Sequence, residues 1–110
     1  MANTFKRQTS NSIGSSYTTV YTVPTSPSTT TVIIGGVVSN TGTATVNTEV
    51  TVNDGTNDIN LTGKDTPIPA GTALSFIDGK VVLQAGDVIK AKGSVAGQLD
   101  VMLSIMEITP

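Results

Sequence analysis

The sequence predicts an all-β fold: a single-domain antiparallel β-sandwich or jelly roll of about eight strands. Three observations carry this expectation. Short β-forming runs alternate with turn signals about every 8–12 residues. Thr occurs 19 times in 110 residues, and β-branched Thr, Val and Ile favour pleated strands. The Glu and Lys pairs at i,i+4 that mark a solvated helix face are missing.

Residues 1–15 are polar, with Phe5 and Ile13 as their large apolar side chains, and read as an extended N-terminal arm. Residues 16–110 read as the sandwich. In "SSYTTVYTVP", Tyr17, Thr19, Tyr21 and Val23 alternate with Thr18, Val20 and Thr22, a strand that Pro24 ends. "TTTVIIGGVVSN", residues 29–40, is apolar on both faces and reads as a central strand. Gly35 and Gly36 inside it point to a bulge or to a close approach by another segment.

"TATVNTEVTVNDG", residues 43–55, puts Ala44, Val46, Thr48, Val50 and Val52 inward. Thr45, Asn47, Glu49 and Thr51 fall on a wet face. Asp54-Gly55 is a hairpin turn pair, because both positions tolerate positive φ. "PAGTALSFI" and "QAGDVIKAK" both place Ala-Gly shortly before a strand, which suits a type II turn. Asp78-Gly79 is expected to turn the chain between them.

The last segment, "QLDVMLSIMEI", is apolar both ways. Leu99, Val101, Leu103 and Ile105 share one face. Met102, Met106 and Ile108 share the other with Asp100 and Ser104. A half-buried strand is apolar on one face. The second face is therefore expected to pack on another copy of the chain, since a small domain has little capacity for a third layer. Tyr17 and Tyr21, on one strand face, join Met102, Met106 and Ile108 as candidate subunit-interface residues.

Composition narrows the chemistry. With no Cys and no His, disulfides, thiol or imidazole catalysis and the usual zinc sites are excluded. Asp54, Asp58, Asp65, Asp78 and Asp87 fall in turns or at strand starts, where Asp bonds local backbone N–H groups. "NDGTND" has the alternating oxygens of a calcium loop, but Gly55 stands third and no Glu closes it. No phosphate loop occurs. We expect no enzyme, no catalytic or metal site and no cofactor.

Net charge is −2 and 13% of residues are charged, against the basic footprint of a nucleic-acid binder. No apolar run approaches the ~20 residues of a membrane span. "MANTFKRQTSNS" has no apolar core of a secretory signal. The first 16 residues carry Lys6 and Arg7 and no acid, while all eight acids lie beyond them. A basic arm on an acidic body suits docking to a neighbour, with Phe5, Lys6 and Arg7 as candidate contacts.

"MANTFKR", "TTVYTVP", "TTVIIGGVVSNTGTATV", "VTVNDGTNDINL", "PIPAGTALSFIDGKVVLQAGDVIKAKG" and "DVMLSIMEIT", in that order, resemble a family of small tailed-bacteriophage structural proteins of marine and cyanobacterial phages. The resemblance covers nearly the whole chain and rests on strand-and-turn grammar. It implies a virion component assembled in the host cytoplasm. The favoured role is a capsid decoration (cement) protein, a homotrimer docked through its arm on the major capsid protein. The alternatives are a neck, collar or tail-fibre module, or a receptor- or glycan-binding tip anchored by Tyr17 and Tyr21.

Overall fold

A computed structural model describes residues 2–11, 13–77 and 79–110. The strands are β1 (Ala2–Ser10), β2 (Thr18–Thr22), β3 (Thr30–Asn40), β4 (Val46–Asn53) and β5 (Asp58–Asn60). They continue with β6 (Thr66–Ile68), β7 (Ala73–Ser75), β8 (Val81–Leu83), β9 (Val88–Gly93) and β10 (Leu99–Thr109). One sheet, here sheet A, has the order β1-β10-β3, with β7 and β8 both on the far edge of β3. The other, sheet B, has the order β2-β9-β4, with β5 and β6 both on the far edge of β4. All pairings are antiparallel.

Strands β7 and β8 lie end to end along β3, and β5 and β6 along β4. The ten segments therefore make eight ribbons, ordered 1-10-3-(7,8) and 2-9-4-(5,6). That is the two-sheet arrangement of a jelly roll, as the sequence predicts. The core lies between the sheets. Sheet A contributes Leu99, Val101, Leu103, Ile105, Ile33 and Val38; sheet B contributes Val46, Val50, Ile89 and Ala91, all buried. Each large aliphatic side chain among them contributes about 1.5–3 kcal/mol by leaving water.

Turn chemistry follows local rules. Gly71 and Gly86 both have positive φ (73° and 90°), each third in a turn closed by Thr72 N–H to Pro69 O or Asp87 N–H to Gln84 O. The two Ala-Gly turns are thus the same device used twice. Asp54 Oδ1 accepts from Thr56 and Asn57 N–H at 3.0 and 2.8 Å, beside Gly55 at φ 97°, and closes the β4–β5 hairpin. Asp78 lies outside the described residues.

The N-terminal segment departs from expectation. Residues 2–10 are extended, but they form the first jelly-roll strand. They pair with β10 over their full length, from Ala2 opposite Thr109 to Ser10 opposite Val101. Ile13, read as part of the arm, is a core residue. It is fully buried, donates its N–H to Leu99 O at 2.8 Å and accepts from Gly97 N–H at 3.0 Å. The expected wet face of β4 is also covered: Glu49 and Thr51 are buried. They lie opposite Lys92 and Lys90 of β9, and long aliphatic stems alongside a central strand shield it.

The double glycine serves both expected purposes. Gly35 pairs with Ser104 and Ile33 with Ile105, so Ile34 is the extra residue of a bulge and points to solvent. One residue on, a Cβ at Gly36 would lie 2.8 Å from Phe76 Cζ and 2.9 Å from Ile77 Cγ1. The ring of Phe76 occupies the space a side chain would take. Gly36→Ala is therefore expected to lower stability by about 1–3 kcal/mol through overpacking. Gly35→Ala, whose Cβ would meet only Ser104 Cβ at 3.9 Å, is the matched control. Urea unfolding midpoints of the two variants check the ordering.

Candidate functional site

The candidate site is the outer face of sheet A. Pairing register sets its composition. Phe5 lies opposite Met106, Met106 opposite Val32, and Val32 opposite Val82. Directly opposed residues share a face, so these four apolar side chains form one row across four strands. Phe5 is 72% exposed and Val82 65%. Met102 adds a second exposed apolar position, opposite Thr9 and Val37, with the Ile34 bulge also facing out. Ile108, half-buried, extends the row toward one end between Asn3 and Thr30. Scattered surface apolar residues are ordinary; a register-aligned row is a contiguous patch.

The inner side of the same strands carries a polar tie. Tyr21 O–H donates to Glu107 Oε2 at 2.6 Å and shares a 2.8 Å bond with Thr31 Oγ1. Lys6 Nζ meets Glu107 Oε1 at 2.8 Å. Tyr21, Thr31 and Glu107 are all buried. The cluster joins β1, β10, β3 and β2, so it fastens the edge strand to both sheets. The hydrogen bond from Lys6, then that from Tyr21, holds the Glu107 carboxyl below its ordinary 4.5, against the opposing effect of burial. Burial, then the bond to Glu107, pushes the Tyr21 phenol up to about 12.

A third cluster lies outside sheet B. Tyr17 O–H donates to Glu49 Oε2 at 2.8 Å, and Lys92 Nζ sits 4.7 Å from the Tyr17 ring centroid. The bond to Glu49 is the largest cause raising the Tyr17 phenol to about 12. A small recess beside it is lined by Asn47, Glu49, Asp65, Lys92 and Ser94. Among the described residues no cluster of three metal-ligating side chains occurs.

Met102, Met106 and Ile108 are thus brought together on one face, where Phe5 joins them. Tyr17 and Tyr21 do not join them, and they do not share a face. Thr19 lies opposite Lys90 and Tyr21 opposite Ile89, so Val20 is an extra residue that reverses the alternation. Tyr17 faces out from sheet B, while Tyr21 points into the core. A paired aromatic platform is not formed. Of the three arm residues, Phe5 and Arg7 face outward on β1, and Lys6 faces inward to Glu107. Sequence reasoning missed Val32 and Val82, although the two-faced apolar pattern of residues 29–40 was the signal. It also missed the tie, because Glu107, Tyr21 and Lys6 are far apart in the chain.

No family model matches this chain, and no curated protein matches it. Among solved structures the chain is similar to one from Bacillus endospore appendages, described as a novel family of disulfide-linked pili. The two are 15% identical with a TM-score of 0.54, over 99% of this chain and 91% of that one. At that identity the likeness is one of fold, and it agrees with the all-β sandwich. This sequence has no cysteine with which to form such a disulfide.

Two outcomes test the tie. Tyr21→Phe leaves the Glu107 and Thr31 oxygens without the shared hydroxyl and should cost about 1–3 kcal/mol in urea unfolding. Glu107, with its carboxyl pKa depressed by folding, contributes stability that is present above 4.5 and lost as pH falls through its lower folded value. Unfolding midpoints taken between pH 6 and pH 3 should therefore drop less in Glu107→Gln than in the parent. The opposite sign holds for Tyr21: its contribution is present below 10.0 and fades as pH rises toward about 12.

Proposed function

We propose that this chain is a non-enzymatic structural protein of a tailed-bacteriophage particle, a capsid decoration (cement) subunit that works by self-association and surface contact. One observation carries the self-association: the aligned row Phe5–Met106–Val32–Val82, with Met102 beside it, on the outer face of sheet A. Hydrophobic area of this kind drives association without chemistry. Met on such a face adapts to an imperfectly matched partner because it is unbranched. The phage setting is supported by the strand-and-turn resemblance set out above.

The mechanism is mechanical. Copies meet through the sheet A face, and the assembled oligomer presents several equivalent surfaces to the coat. With Phe5 engaged in the row between copies, the outward side chain of Arg7 on β1 is the contact for the capsid protein. Many weak contacts then act together, so occupancy rises by multivalency and the shell resists internal pressure. A neck, collar or tail location would use the same face at low copy number.

Met102→Glu with Met106→Glu should convert the oligomer, a trimer on this reading, to single chains in light scattering. Losing two apolar anchors worth about 1.5–3 kcal/mol each weakens association by at least about 100-fold. The urea midpoint of the single chain should move little, because neither side chain is in the core. An unchanged mass would remove the interface. In purified virions, hundreds of copies per particle on a stained gel support decoration; about a dozen support the neck or tail.

A further inference from the structure

Strand β1 is attached to its own domain in an unusual way. Seven of its nine residues are exposed, two are half-buried and none is buried. Its inward side chains, Ala2, Thr4, Lys6, Gln8 and Ser10, bring no large apolar group to the core. Among the described residues, its side-chain bonds to the domain are Lys6 to Glu107 and Thr109 Oγ1 to Ala2 O. What holds it is the backbone ladder on β10 together with that one ion pair. The paired stretch ends at Ser10, and among the described residues the first fully buried one is Ile13, bonded through its backbone to residues 97 and 99. The sandwich is thus fastened just after β1, and the strand can leave without withdrawing any core side chain.

We propose that β1 is exchanged between copies: in the assembled protein it pairs with β10 of a neighbouring copy, in the register seen here, and Lys6 meets that copy's Glu107. This inference rests on the proposed self-association and specifies how it is closed. The exchanged and unexchanged states contain the same ladder and the same ion pair, so the difference between them is small. Two residues, 11 and 12, separate Ser10 from Ile13, a connection of at most ~11 Å, which keeps exchanging domains in contact and raises their effective concentration.

Exchange also completes the candidate face. The row begins at Phe5, and Phe5 belongs to β1. In an exchanged assembly the Phe5 of one copy lies over Met106 of the next, so the apolar row becomes shared between copies. Each copy gives one strand and receives one. The arrangement closes into a ring, whether of two copies or three, and leaves no β10 edge unpaired.

The sequence has no cysteine, which makes the test clean. Arg7 and Ser104 are directly opposed on the outer face. The double variant Arg7→Cys, Ser104→Cys, refolded at high concentration, is closed by oxidation or by a short bismaleimide. Exchange predicts covalent species of two or three chains on a denaturing, non-reducing gel, with the 7–104 cross-link identified by peptide mass. Mixed refolding with an isotope-labelled copy should give cross-linked peptides joining light and heavy chains.

Light scattering of the same sample separates the two ideas. An oligomer in solution that runs as internally linked single chains on the gel overturns exchange and leaves the sheet A interface standing. A single chain by both measurements overturns both.

Discussion

Strand β10 has to satisfy two backbone edges and two side-chain faces at once, and the rest of the molecule is arranged around that demand. Its inner face supplies Leu99, Val101, Leu103 and Ile105 to the core. One edge is taken by β3. The other needs a partner for the length of the strand, and β1 supplies it residue for residue. An unpaired edge of that length would be a template for uncontrolled pairing. A polar strand of modest side-chain investment is therefore indispensable even though it adds almost nothing to the core.

The polar tie follows from the same geometry. Near its C-terminal end β10 turns Glu107 inward, where a lone carboxylate would be costly. Lys6 and Tyr21 make that position tolerable, one from the edge strand and one from the opposite sheet. The arrangement couples the seating of β1 to the charge on one buried side chain. The outer face of β10 has no such compensation. Met102, Met106 and Ile108 stay partly or largely in water.

The fold was largely readable because its signals are local. Alternation located β3, β4 and β10 closely, and the two Ala-Gly turns and the Asp54-Gly55 turn form as their residues dictate. The site was readable only in part. Met102, Met106 and Ile108 stand together because a continuous alternation in one strand is reliable. Tyr17 and Tyr21 do not, because a single inserted residue, Val20, reverses the parity, and nothing in "SSYTTVYTVP" marks it. Glu49 read as solvated because its shielding comes from another strand.

The residues themselves determined an all-β chain, its turns, the absence of thiol and imidazole chemistry, and a last strand apolar on both sides. These depend on stereochemistry and on spacing within one segment. Tertiary structure alone decided that the polar N-terminus is the first strand of the jelly roll, and that Ile13 is core. It also decided that Glu107 is held by Tyr21, 86 residues away, and by Lys6. The reason is physical: a backbone edge accepts any strand that completes its ladder, and a buried charge accepts any partner that the fold brings within reach. Neither choice is written in the local pattern of the segments that make it.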